Sequence, residues 1–226
     1  NLLSGGVVVN ADLDFSDGGE LRILDGLTLN GTATLGGNAN LFFVRPGEHA
    51  DPYSQLLGGS GEVVFDNSSN GSDNSLRIED NVTLTIGADM TVRGSSVNIF
   101  RRNVGGVEDT AKFVNEGTIS VERIANRKFQ LATPQWQNLG VIDVASEAEL
   151  ELGGSFSHSD IAALNATGAL ISVIGVYDLT GSTLITGGSL GNWQLSGGTI
   201  VGGTINGASA GDALKLTRNF NNLLSG

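Results

Sequence analysis

The chain has 226 residues, 39% of them hydrophobic, with 34 glycines, 3 prolines and no cysteine. That length and apolar content suit one folded domain with a sizeable core and exclude a purely disordered chain, and the absence of thiols excludes a disulfide scaffold and thiolate metal sites. The formal net charge of −12 argues against a nucleic-acid partner, whose phosphates require a basic footprint, and no apolar run approaches the roughly 18 residues of a membrane span.

The first element, Asn1-Leu2-Leu3-Ser4-Gly5, returns as Asn222-Leu223-Leu224-Ser225-Gly226, 221 residues on. The recurrence predicts a little over one period of a tandem array whose units stack on one another. It marks Asn1, Leu2, Leu3, Asn222, Leu223 and Leu224 as candidate self-association residues. Short bursts of alternating apolar residues follow. Leu13 and Phe15 alternate with Asp12 and Asp14, Leu21 and Ile23 flank Arg22, and Leu27-Thr28-Leu29 runs into the turn signal Asn30-Gly31. The pattern continues at Val63 and Phe65, Leu76 and Ile78, Val82 to Ile86, Met90 and Val92, Val97 and Ile99, and Ile119 and Val121. It resumes at Ile142 and Val144, Leu150 and Leu152, Leu184, and Leu214 and Leu216. A period of two puts apolar side chains on one face of a strand. Glycine and asparagine turns punctuate the bursts. The stretch 159–164 reads as one helical turn or as a strand and corner, and the stretches 45–60, 66–75, 101–112 and 123–138 read as protruding loops.

Many short strands with this punctuation fit an antiparallel sandwich or barrel, or a parallel β-solenoid. Three features favour the solenoid: the recurrence at 221 residues, the brevity of the strands, and turns whose Asn, Ser and Thr side chains can hydrogen-bond between successive coils. At ~20 residues per coil the chain makes roughly ten coils, about 50 Å long at the strand spacing. The expected architecture is all-β, one solenoid segment over 1–226 with no internal boundary and with open ends that stack on the neighbouring repeat.

Three phrases carry a family resemblance: Leu27-Thr28-Leu29-Asn30-Gly31-Thr32-Ala33-Thr34-Leu35-Gly36, Phe113-Val114-Asn115-Glu116-Gly117-Thr118-Ile119-Ser120, and 192–205 from Asn192-Trp193 to Thr204-Ile205. They resemble repeats of very large secreted proteins of cyanobacteria and planctomycetes, built like filamentous-haemagglutinin or autotransporter solenoids. The resemblance implies a right-handed parallel β-helix, secreted and extracellular or at the cell surface. It brings no catalytic motif, and the basic insertion at Arg101 and Arg102 departs from it.

Candidate chemistry is sparse. Asp66, Ser68 and Asn70, then Gly71, follow the start of an oxygen-ligand calcium loop, with Asp73 a further candidate ligand in the same segment, which makes calcium the one cofactor to consider. The position that should hold the bidentate acid is Arg77, so an ordinary polar loop is the competing reading. Asp12 and Asp14, and Glu147, Glu149 and Glu151, sit in strand alternation, as expected of solvated strand faces rather than the convergent carboxylate pair of a glycosidase. Arg101, Arg102, Lys112, Arg123, Arg127 and Lys128 are six of the twelve basic residues, a candidate patch for an acidic polysaccharide or an acidic face of a neighbouring filament; scattered loop charges are the alternative. His49, beside Glu48 and Asp51, is a weak candidate metal or proton site, with an ordinary exposed histidine as the favoured reading. Trp193 is expected to pack in the core, whereas Trp136, near Pro134, is the candidate exposed aromatic for stacking on sugars. The functional expectation is a non-enzymatic structural repeat of an extracellular fibre, sheath or filament, whose partner is itself, head to tail. An adhesin or glycan-binding module is the alternative, and a polysaccharide lyase or hydrolase stands behind it.

Overall fold

The structure is a computed structural model that describes residues 1–47, 52–66, 74–102 and 110–226, with backbone alone at Arg102. Its strands fall into three long parallel sheets taken in rotation, so that every third strand of the chain returns to the same sheet. This is a parallel β-solenoid. The first sheet has ten rungs: Leu2–Leu3, Glu20–Ile23, Asn40–Phe43, Asn74–Glu79, Val97–Arg102, Phe129–Ala132, Glu149–Leu152, Leu170–Val173, Asn192–Leu195 and Lys215–Leu216. The second sheet also has ten, from Val7–Val9 to Leu223–Ser225. The third runs from Leu13–Phe15 to Leu164–Asn165 in seven rungs and resumes as the pair Thr183–Thr186 and Thr204–Gly207. Among the described residues no helix is long and apolar enough to cross a membrane.

The alternation read from the sequence is the inside–outside alternation of these rungs. Leu21 and Ile23, Leu27 and Leu29, and Ala33 and Leu35 point inward and are buried; Arg22, between the first pair, is exposed. Parallel pairing keeps like positions stacked, so the interior is one continuous apolar column. From Phe113 onward the second sheet contributes an aromatic stack. Trp136 lies 4.8 Å from Phe156, Phe156 lies 4.8 Å from Tyr177, and Trp193 of the first sheet closes it at 5.8 Å from Tyr177. Burial pushes the Tyr177 hydroxyl pKa well above the usual tyrosine value.

The coils are unequal. Register advances by 20 residues at the start (Leu2 to Arg22, Arg22 to Phe42), by 35 from Phe42 to Arg77, by 23 from Arg77 to Phe100, and by 32 from Phe100 to Ala132. It then settles at 21 or 22 (Leu131 to Leu152 to Val173 to Leu195 to Leu216). Where a long coil leaves the stack, buried amides bind nearby backbone groups. Gln55 accepts from the Gly26 N–H at 3.1 Å and donates to the carbonyls of Ile23 and Val44. Asn74 accepts from Ala39 N–H at 3.0 Å and donates to the Asp66 carbonyl at 3.1 Å.

Corners are tight. A Cβ on Gly154, which has φ +61°, would stand 1.9 Å from the Thr133 carbonyl oxygen, and one on Gly175 would stand 2.2 Å from the Gly154 carbonyl oxygen of the coil before it. Only glycine allows this approach.

Two expectations change here. The stretches 45–60, 66–75, 101–112 and 123–138 are not wholly loops: Tyr53–Gly58, Asn74–Glu79, Phe129–Ala132 and Gln135–Asn138 are strands in the stack. Pro134 sits at the corner between the last two, outside any rung, so its missing N–H costs no ladder bond. The helical turn is real but is a short 3₁₀ turn at His158–Ile161, which Asp160 caps by accepting from Ser157 N–H at 2.8 Å.

Candidate functional site

Two surfaces stand out: the outer face of the first sheet, and the two open ends of the stack. On the outer face, register aligns Asn40, Ser75, Asn98, Gln130, Glu151, Ser172, Gln194 and Lys215 in one polar column. Neighbours in the column bond to one another. Ser75 donates to Asn40, Gln130 donates to Glu151 at 3.2 Å, and Gln194 donates to Ser172 at 2.7 Å. Beside it runs a second column, Arg22, Phe42, Arg77, Phe100 and Ala132. The Arg22 guanidinium lies 5.8 Å from the Phe42 ring centroid and that of Arg77 5.5 Å from Phe100, so cation and ring alternate. The small Ala132 ends the alternation. Beyond it lies an open depression of about 510 Å³ lined by Asn98, Phe100, Arg101, Gln130, Ala132, Pro134 and Gly154.

The basic residues partly converge on this face. Arg101 lines that depression, and Arg127 and Lys128 line a smaller one, about 260 Å³, that shares Asn98 and Gln130 with it. Each of several cations is nonetheless answered by a carboxylate of the chain. Arg101 donates to the buried Asp80, Lys128 donates to Glu151, and Arg123 pairs with Glu147 at 2.7 Å. The Glu151 contact raises the Lys128 pKa above its usual range. Lys112 is on the second sheet instead, paired in register with Thr83 and Gln135.

The expected run of solvated glutamates is therefore corrected in part. Glu151 is 9% exposed beneath Lys128, and Glu147 lies in the preceding turn at φ +61°. Asp12 and Asp14 are exposed as expected; hydrogen bonds from Ser16 lower the Asp14 pKa.

Trp136 is the clearest correction. It lies in a strand, 4% exposed, with its indole N–H donating to the Gly153 carbonyl at 2.9 Å. It presents no ring for a sugar to stack on. Trp193 is buried as expected. Of the calcium-loop residues only Asp66 is described, its backbone N–H continuing the rung to the Leu35 carbonyl at 2.7 Å; Ser68, Asn70 and Asp73 lie outside the described residues, as do Glu48, His49 and Asp51. Among the described residues no three His, Asp or Glu side chains group as metal ligands. His158 instead bonds through Nδ1 to the Tyr177 hydroxyl at 2.6 Å.

The third sheet carries an ion triplet that alternation alone does not disclose. Arg93 bridges Glu62 of the coil before it at 2.8 Å and Glu122 of the coil after it at 3.0 Å. The guanidinium holds the Glu62 carboxyl pKa below its usual range.

The ends differ from everything between them. The first coil exposes Leu2 (57%) and Val8; the last exposes Leu216 (61%), Phe220, Leu223 and Leu224. These are six of the eleven large hydrophobic residues exposed among the described residues; the other five lie on interior coils, Val176 and Ile185 on the same one. A hollow in the last coil is lined by Ile200, Ile205 and Leu224 with Gly202 and Gly203. The ends also differ in charge: residues 1–20 hold Asp12, Asp14, Asp17 and Glu20 with no Lys or Arg, and residues 213–226 hold Lys215 and Arg218 with no acid. No family model, curated protein or solved structure matches this chain.

Proposed function

We propose that this chain is a structural repeat of an extracellular or cell-surface fibre, sheath or filament, in which units stack head to tail into one continuous β-solenoid. The observation that carries this reading is the parallel solenoid itself, whose coils bury one another only by stacking, together with the recurrence of Asn-Leu-Leu-Ser-Gly. A parallel sheet leaves a row of unpaired N–H and C=O groups at each edge, a template for another strand. Here the last coil leaves Leu216 and Leu224, which continue the buried positions of Leu195 and Ile200, exposed, and one end is acidic where the other is basic. Heterologous contact between unlike ends gives an open filament rather than a closed oligomer. The extracellular setting follows from the family resemblance of the repeat phrases, and the recurring Asn-Leu-Leu-Ser-Gly supports a covalent array.

Cryo-electron microscopy of the protein tests the reading. The expected result is a continuous rod with strands ~4.8 Å apart along its axis. Discrete particles whose end coils are covered by the chain's own segments would overturn it. The depression beside Phe100 supports a second role for the same rod, presentation of a glycan-binding face.

A further inference from the structure

The two copies of Asn-Leu-Leu-Ser-Gly lie on different faces of the solenoid. Leu2–Leu3 is the first rung of the first sheet, paired with Arg22 and Ile23. Leu223–Ser225 is the last rung of the second sheet, paired with Thr199, Ile200 and Val201. From one copy to the other the chain makes nine full turns and one strand more. A unit of whole turns would return the pentapeptide to the sheet where it began.

We propose that consecutive units join with a rotation of one face, so that the array regains its orientation only every third unit. This rests on the tandem reading above. The joint can be followed strand by strand. The second pentapeptide takes the place of the next unit's Leu2–Leu3 on the second sheet. The next Val7–Val9 then falls on the third face, against Thr204–Gly207, where Ile205 meets valines. The next Leu13–Phe15 falls on the first face, against Lys215–Leu216.

Side-chain chemistry supports that last pairing. Leu13 and Phe15 are half-buried about an exposed Asp14, and Leu214 and Leu216 alternate about an exposed Lys215. Stacking apolar on apolar sets the Lys215 ammonium beside the Asp14 carboxylate, extending the outer polar column across the joint. Without rotation the strand beside Lys215 is the pentapeptide itself, which brings the outward Leu2 and no carboxylate. Rotation also sets what the filament presents. At about 4.8 Å per coil a unit rises ~45 Å and three units ~135 Å. The columns on the outer first-sheet face therefore reach three sides of the rod in turn, which suits lateral contacts in all directions rather than a one-sided ribbon.

The chain has no cysteine, so a single engineered disulfide reads the joint directly. Residues 1–221 are followed by a second copy of 1–226, with Lys215→Cys in the first unit and Asp14→Cys in the second. Neighbouring strands at about 4.8 Å fall within the Cα separation a disulfide tolerates. Complete crosslinking on mild oxidation is the expected result. A companion two-unit chain with Lys215→Cys and Leu223→Cys at the joint should not crosslink. Crosslinking of the companion instead, or of neither in a particle that electron microscopy shows as one continuous rod, would overturn the rotation and leave the array standing. Two separate beads joined by a linker, with neither crosslink, would overturn the array reading and the rotation with it.

Discussion

The interior coils and the end coils are made of the same residue types, arranged with the same alternation, yet they do opposite things. Between them, Leu84, Phe113 and Trp136 stack in register and are buried. At the ends, Leu216 and Leu224 continue equivalent positions, paired with Leu195 and Ile200, and are exposed. The difference is only whether a further coil lies above. In a solenoid, burial belongs to the stack and not to the strand, so an end coil shows the positions that the interior coils bury.

The sharpest way to break this comparison is truncation. Trp136→Ala should cost about 3–5 kcal/mol in chemical denaturation, because it opens a cavity in the aromatic stack and strands the Gly153 carbonyl. Phe220→Ala, also an aromatic truncation but at a fully exposed position in the last coil, should change stability by less than about 0.5 kcal/mol. Equal effects would mean the end is not open in solution. A second contrast compares acids. Asp80→Ala removes the buried partner of Arg101 and should cost about 3 kcal/mol, whereas Asp14→Ala should leave a single unit's denaturation midpoint unmoved.

The smallest effect is titration. Glu62 has its folded pKa lowered by Arg93, so its contribution is fully present above the ordinary glutamate value and is lost as pH falls through the lowered one. Both partners are about a third exposed, so this amounts to less than about 1 kcal/mol. The stability gap between the native chain and Glu62→Gln should therefore close on acidification. A gap that widens instead would assign the pair's stabilisation to another group.

How much of this was legible in the sequence depends on coil length. In the short coils Leu27-Thr28-Leu29 and Thr32–Leu35 read directly as rungs, since partner residues recur about 20 apart. The alternating Arg22, Phe42, Arg77 and Phe100 column did not, because steps of 20, 35 and 23 residues have no common period. Trp136 was misplaced because Pro134 signals a loop, although a corner satisfies proline as well as a loop does. The Arg93 bridge was hidden for a related reason: its acids, Glu62 and Glu122, are neighbours only through the stack. The candidate end surfaces were visible from the recurrent pentapeptide, but the face each copy occupies required the register.

The unequal coils also determine how the rod would yield under tension. Every rung's hydrogen bonds run along the long axis, so a pull on the two ends loads the coils in series, and the chain peels one turn at a time. A 20-residue turn pays out roughly 70 Å of chain and the 35-residue turn roughly 120 Å, at about 3.4 Å per residue. The longer coils in the middle of the chain thus give the rod steps of unequal length, each released only when its own rungs have let go.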